Sequence, residues 1–394
     1  MSVNWIEVEK KNYMFTVRRQ PIVIARGDGT RVWDIDGKEY LDFTAGWAVN
    51  NLGHCHPAIT EEITNQAKTL VQTSNQFYTL PQLRLAEILV ESSVLDKVFF
   101  GNSGAEALEG VCKLAKKYGK INRDGAYEII TAFNSFHGRT QAMVAATGQP
   151  HYQESFKPLL PGFVHVPYND VDAIIDATSD KTAAVLLEPV QGEGGVNVPH
   201  GTYLSRVKEW CEKQGILFIL DEVQTGMGRL GELFGYQIFD VEPDAMALGK
   251  ALGGGAPIGA FMSKDECMVL EPGDHGSTFG GNVLSCAAAF GSTRYIIDNN
   301  IPARAKEMGA ILMEGLNNLR SKFNFISDIR GMGLLIAVEF DNEISADILS
   351  KSNKEGLLLN AVKPNAIRIM PPLTISSSEI NQGVECLESV FRTV

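Results

Sequence analysis

Hydrophobic and polar positions change their rhythm twice along this chain. Over residues 21–43, PIVIARGDGTRVWDIDGKEYLDF, apolar and polar positions alternate around Gly-Asp-Gly and Asp-Gly. Those are hairpin-turn signals, so short strands joined by tight turns are predicted. From about residue 55 the alternation stops, and short apolar runs are separated by helical stretches. The runs are KVFF at 97–100, EIITAF at 128–133, AAVLLEPV at 183–190, ILFILDEV at 216–223, AMALG at 245–249 and IGAFM at 258–262. Short runs without a polar face fit strands covered on both sides, and their alternation with helices predicts an α/β fold with a mostly parallel central sheet. After about 285 a helical segment leads into IRGMGLLIAVEF, then GLLLNAVKPNAIRIMPPL, then a terminal helix. That block predicts a smaller α+β domain over 286–394, beside a large domain over 51–285.

The chain has 394 residues, 44% hydrophobic and 21% charged, enough for a large and a small domain with a substantial core. Its net charge of -12 argues against nucleic acid or an anionic membrane as a partner. It leaves room for anionic small molecules, which need only a local cluster of Arg and Lys. The six cysteines are scattered without a C-x-x-C pair, so reduced thiols are expected rather than a disulfide framework or metal site. The first residues, MSVNWIEVEKKNYM, mix charges early and lack the apolar core of a signal peptide. No window approaches the roughly 18 apolar residues of a membrane span. A cytoplasmic protein is expected.

In open α/β sheets ligands collect beyond the carboxyl ends of the strands, so the polar residues after each apolar run are the ones to examine. In FFGNSGAEALEGVCKLAKKYG at 99–119 a strand runs through a Gly/Ser turn into an amphipathic helix. Free N–H groups at such a start bind phosphate; Gly104 allows close approach and Ser103 adds a hydroxyl. A plain helix cap, with Ser103 and Glu106 forming a capping box, fits the same residues. Asp221 follows an apolar run and needs a cation or good donors, for which a protonated pyridine nitrogen would serve. A capping role is the alternative, and a metal site is not expected because the sole acid beside it is Glu222. Lys250, after an apolar run and before three glycines, is placed to be a desolvated amine nucleophile, or else a turn lysine. Thr278 in STFGGN, Phe136 and Arg139 in FHGRT, and Arg368 in RIMPPL are weaker signals. Phe136 could be a core aromatic and Arg368 a structural ion-pair residue.

Taken in order, these segments resemble the class III (subgroup II) aminotransferases that use pyridoxal 5′-phosphate. The resemblance runs from about residue 15 to 375 through NSGAEA, FHGRT, EPVQGEGG, LDEVQTGMGR, LGKALGGG, STFGGN and RIMPPL. It implies the fold type I architecture, with residues 1–50 joining the C-terminal segment in the small domain. It implies that Lys250 holds the cofactor as a Schiff base and shuttles a proton, while Asp221 pairs with the pyridinium nitrogen. Val223 and Phe136 would flank the ring, and Gln224 would bind its phenolic oxygen. Ser103, Gly104 and Ala105 would take the phosphate. Thr278 would reach the phosphate of a neighbouring subunit, implying a homodimer with shared active sites. Arg368 would bind the α-carboxylate of 2-oxoglutarate or glutamate, Glu193 would neutralise Arg368 when the ω-amino donor is bound, and Arg139 would take the donor's carboxylate. Ala105 departs from the pattern, since many members carry Thr there, and one phosphate hydrogen bond would be lost, worth ~1 kcal/mol.

Three further strings, YLDFTAGWAVNNLGHCHP, SNQFYTLPQ and GLLLNAVKPNAIRIMPPL, resemble most closely the members acting on N2-acetyl-L-ornithine. The implied reaction gives N-acetyl-L-glutamate 5-semialdehyde and L-glutamate, a step of arginine biosynthesis. Tyr78 and Asn75 are the candidate donor contacts. Ornithine, succinylornithine, 4-aminobutyrate and carrier-bound lysine are alternative donors. An aminomutase, decarboxylase or racemase on the same scaffold and a non-catalytic relative are the other readings. A dinucleotide-binding dehydrogenase would need G-x-G-x-x-G after an early strand, and none opens the α/β region.

Overall fold

The computed structural model describes residues 3–394. Strands β1 (Ile24–Asp28), β2 (Arg31–Asp34) and β3 (Glu39–Asp42) pair antiparallel in sequence, as the turn signals predict. Gly29 (φ 54°) and Gly37 (φ 84°) sit in the turns, in the left-handed region that a Cβ disfavours.

The large sheet is built from β4 (Lys97–Gly101), β5 (Glu128–Ala132), β6 (Phe163–Val166), β7 (Thr182–Leu187), β8 (Leu217–Asp221), β9 (Ala245–Leu248) and β10 (Gly259–Ser263). Their order is β4-β10-β9-β8-β7-β5-β6. Neighbours from β9 to β6 run parallel, while β10 is antiparallel to both β4 and β9. Strands β7 to β10 are buried at every position, which is why they read as unbroken apolar runs. The sequence did not announce β6. Its four residues, FVHV, form an edge strand of intermediate burial, and His165 interrupts the apolar signal.

The C-terminal strands are β11 (Ile326–Met332), β12 (Leu335–Phe340), β13 (Leu357–Leu358), β14 (Asn360–Lys363) and β15 (Ala366–Ile369). Four of these pair antiparallel in the order β11-β12-β15-β14, while β13 runs parallel to β3 and ties the N-terminal hairpin to the C-terminal segment. Residue 285, the expected domain boundary, lies inside the continuous helix Val283–Asp298. That helix packs on Pro57–Thr69 and Leu80–Glu91, within the large unit. The chain turns at Asn300 (φ 48°), and Pro302 opens the helix Ile301–Lys322 that covers β11 and β12. The two helices meet at 299–300, where Asn-Asn precedes Ile-Pro.

One local feature is unusual for L-residues. Ala45, Gly46, Trp47 and Ala48 all have positive φ, 45° to 63°, forming a left-handed turn against the Lys250 turn. Such a turn costs roughly 1–2 kcal/mol per L-residue, so its surroundings must hold it. Asp42 does so directly, accepting from the Thr44 and Ala45 N–H groups at 2.8 and 3.1 Å.

Candidate active site

The carboxyl end of β8 delivers Asp221, which is 3% exposed. One carboxylate oxygen accepts from the Val223 N–H at 3.0 Å, and the other lies 2.8 Å from His137 Nδ1. With Nδ1 against a carboxylate, that nitrogen carries the proton and the ring fixes the direction in which the carboxylate faces. The His137 side chain is buried, and its Nε2 has no partner among the described residues. Sequence patterning marks Phe136 and Arg139 in FHGRT but not His137. A lone histidine beside an aromatic reads as core, and the fold alone brings it to an acid 84 positions away.

Lys250 follows β9 at a turn where its own φ is 44°. A non-glycine residue there is strained by roughly 1–3 kcal/mol, a feature that clusters at functional sites. Burial pulls the Lys250 amine below its ordinary value; Glu193 opposes that shift and the Arg368 cation reinforces it. Beside it, backbone meets backbone: a Cβ on Gly249 would lie 3.0 Å from Gly104 Cα, and one on Gly104 would lie 2.7 Å from Val223 Cγ1. The turns after β4 and β9 therefore touch backbone to backbone, and the Val223 side chain from the turn after β8 packs against both glycines.

Gly104 opens the helix Gly104–Asn122, and Ser103 caps it by accepting from the Glu106 N–H at 3.2 Å. The expected capping box is displaced by one residue, because the Glu106 carboxylate turns to the N–H and side-chain amide of Asn102, at 2.8 and 2.9 Å. The first-turn amides of Gly104 and Ala105 have no acceptor among the described residues. Glu188, after β7, accepts from the Phe136 N–H at 3.1 Å and the Gly192 N–H at 3.2 Å, stapling the FHGRT loop to the loop of Glu193.

Arg368 lies in β15 opposite Ala337 and Asn360, and it is 0% exposed. Its guanidinium meets Glu193 at 2.7 Å, Gln224 Oε1 at 3.2 Å and Asn360 Oδ1 at 2.9 Å. Burial alone would raise the Glu193 carboxyl, but Arg368 and then Lys250 hold it below the usual carboxylate range. Gln224 is part of this network, its amide nitrogen 3.5 Å from Glu193. Asn360, which the sequence did not single out, is a third anchor. Arg139 is treated differently. It is exposed, ion-pairs with no acid among the described residues, and stands over the ring of Tyr152.

The chain matches the model of the Aminotransferase class-III family over residues 14–391. It is a class-III aminotransferase. Similar relatives include the acetylornithine aminotransferase of Methanocaldococcus jannaschii, 48% identical over 394 residues, with 99% of this chain and 98% of the relative covered. That of Methanothermobacter thermautotrophicus is 49% identical over 387 residues, covering 98% of each. Among solved structures, the ornithine aminotransferase of Toxoplasma gondii ME49 superposes with a TM-score of 0.94 at 36% identity, covering 99% of this chain and 94% of that one. The acetylornithine aminotransferase of Elizabethkingia anophelis gives 0.89 at 35% identity, with 99% and 98% covered.

As a member of this family the enzyme depends on pyridoxal 5′-phosphate, and the residues present fit that group. A lysine with a depressed amine, a buried carboxylate oriented by a histidine, and two free first-turn amides are the complements of an aldehyde, a ring N–H and a phosphate. The remaining expected residues lie elsewhere in the single chain. Thr278 is exposed, and its carbonyl accepts from Gln72. Asn75 donates to the carbonyls of Ser277 and Gly280 and accepts from Gln82, so its side chain is committed to pinning the loop that carries Thr278. Tyr78 is 93% exposed.

Proposed function

We propose that this aminotransferase moves the terminal amino group of N2-acetyl-L-ornithine to 2-oxoglutarate, giving N-acetyl-L-glutamate 5-semialdehyde and L-glutamate in arginine biosynthesis. The names of its relatives at 44–49% identity support the donor. The observation that carries the reading is the closed Glu193–Arg368 pair at 2.7 Å, beside an exposed Arg139 that pairs with no acid among the described residues.

When bound, pyridoxal phosphate supplies an aldehyde that takes the amino group and a ring that delocalises the electron pair left on the substrate carbon. Lys250 is the amine that would hold it, and the freed amine would move a proton at the reacting substrate carbon. Asp221, aimed by His137, keeps the ring nitrogen protonated. Ser103, Gly104 and Ala105 hold the phosphate at the positive end of their helix. Phe136 and Val223 would flank the ring, and Gln224 would hold its phenolic oxygen. Arg139 grips the α-carboxylate of the donor while Glu193 keeps Arg368 occupied. Glutamate or 2-oxoglutarate displaces Glu193 and places its own α-carboxylate on Arg368. One site thus accepts two substrates in turn, because the acid masks the second cation when the first substrate does not need it.

The active form is a homodimer with shared sites, in which Thr278 serves the phosphate of the neighbouring subunit and Tyr78 and Asn75 lie near its donor. Exposed aromatics on these loops, Phe77 at 65% and Phe279 at 61%, support a surface that a second copy covers. Among the described residues no helix is long and apolar enough to cross a membrane, and we place the enzyme in the cytoplasm. Ornithine is the competing donor, given the likeness to the Toxoplasma enzyme.

Adding acetylornithine, ornithine, 4-aminobutyrate or glutamate separately to the holoenzyme, without a keto acid, tests the reading. Acetylornithine and glutamate should bleach the visible cofactor band fastest. Faster bleaching by ornithine would replace the donor, and a Lys250→Ala variant that keeps the band would remove the central assignment.

A further inference from the structure

The two arginines of the site are oriented by different means. Arg368 is held by an acid, which its substrate must displace. Arg139 is held by rings: its guanidinium carbon stands 4.0 Å from the centre of Tyr152 and 5.3 Å from that of Phe136. The two rings meet edge to face, with centroids 5.7 Å apart at 72°. An aromatic face within about 6 Å attracts a cation without using any of its N–H donors. A carboxylate partner would fix the same direction but would compete with the substrate for the fork of donors that binds a carboxylate bidentately.

The ring is itself held in place. Tyr152 lies in the short helical turn Pro150–Gln153, and its N–H donates to the Gln149 carbonyl at 3.0 Å. The Gln149 side chain donates to the Ser135 carbonyl at 3.0 Å, and the Ser135 hydroxyl accepts from the Gly148 N–H at 3.0 Å. The segment carrying Tyr152 is therefore stapled to the residue just before Phe136 in the loop that carries Arg139. The Tyr152 hydroxyl makes no hydrogen bond among the described residues, so what the side chain offers is its face.

We propose that Tyr152 is a positioning residue for donor recognition: its ring, with Phe136, presents Arg139 with every N–H free, and so sets the affinity for a donor bearing a carboxylate distant from the reacting amine. The proposal rests on the reading of Arg139 as the donor's carboxylate grip. It makes this grip permanently open, in contrast to the masked Arg368.

The test compares acetylornithine with N-acetylputrescine, the same donor without its carboxylate, on the holoenzyme. Tyr152→Leu should raise KM for acetylornithine about fivefold with little change in kcat, the size of one exposed cation–π contact. Its kcat/KM for N-acetylputrescine should stay within about twofold, which a merely structural defect would not allow. Tyr152→Phe should restore the acetylornithine KM, and a ring-fluorinated phenylalanine at 152, equal in shape but with a weakened face, should raise it again. That series decides the matter even if the leucine variant folds poorly. Equal losses on both donors, or a fluorinated ring that behaves like phenylalanine, would overturn the proposal. If Arg139→Gln raises KM and Tyr152→Leu does not, the grip stands and the platform falls. If neither raises it, the reading of Arg139 fails and takes the proposal with it.

Discussion

Glu193 lies 2.7 Å from Arg368 and in the field of Lys250, so its charge is felt at both cations. Glu193 raises the Lys250 amine, whereas burial and Arg368 lower it. Removing the acid must therefore lower that amine further. In Glu193→Gln, the pH at which apoenzyme takes up pyridoxal phosphate at half its maximal rate should fall, as a stopped-flow pH series would measure; a rise would contradict the assigned coupling. The carboxyl of Glu193 is itself depressed, so its contribution to stability is present above the ordinary carboxylate range and is lost as pH falls through the lowered value. Below the ordinary carboxylate range, the acid limb of a denaturation profile should be flatter in the variant. With Arg368 unmasked, glutamate should also gain on acetylornithine in single half-reactions. At this scale the sequence was legible where a residue's neighbours along the chain fix its burial and backbone setting. Lys250 before its glycines and Asp221 after its apolar run are such cases. His137, Asn360 and Tyr152 were not legible, because their roles depend on partners that the fold supplies from a distance.

Between neighbouring elements, the close contact of the three strand-end turns is what gathers the site. Gly104 and Gly249 allow it, and Val223 fills the remaining space. A Cβ on Gly104 would lie 2.7 Å from Val223 Cγ1 and 3.0 Å from its Cγ2. Valine is stiff about χ1 and cannot swing aside easily. Gly104→Ala should therefore push the helix start away from the turn after β8, at an overpacking cost of roughly 1–3 kcal/mol. Because the displaced atoms carry the proposed phosphate amides, cofactor affinity should fall by about tenfold or more. Fluorescence titration of apoenzyme would read this, and unchanged affinity would remove Gly104 from the phosphate site. The elements themselves followed from the apolar pattern where strands are buried on both faces, as in β7 to β10. The pattern was silent where burial is one-sided, as in edge strand β6. Nor does it mark that the helix Val283–Asp298 runs unbroken through residue 285. The left-handed turn over 45–48 was illegible for another reason. Ala, Trp and Ala have no preference for positive φ, and Asp42 with the Lys250 turn imposes it from outside.

Across the whole molecule, Arg229 joins the segments that the chain order keeps apart. It follows β8 in the large unit, is 0% exposed, and donates to the carbonyls of Leu334 and Pro371 and to the side chain of Asn51. Asn51 in turn donates to the Met227 carbonyl, the Leu334 N–H returns to the Arg229 carbonyl, and the Leu373 N–H reaches the Asn51 carbonyl. N-terminal, central and C-terminal segments thus meet on one guanidinium. Burial pushes its pKa down to about 9, with Asp42 opposing the shift. Replacing Arg229 by methionine would relieve the buried charge but strand two carbonyls and an amide, each worth roughly 1–3 kcal/mol when unsatisfied. The stranded groups outnumber the relieved charge, so we expect a net loss of stability of about 2–4 kcal/mol. Because Asn51 shares the network, Asn51→Ala and Arg229→Met should be non-additive by at least about 0.5 kcal/mol in a double-mutant cycle of chemical denaturation. Limited proteolysis of Arg229→Met should cut first near Asn51 and near 333–334, where the freed segments meet. Additive effects, or a cleavage pattern identical to wild type, would mean that the apolar core alone holds the segments together.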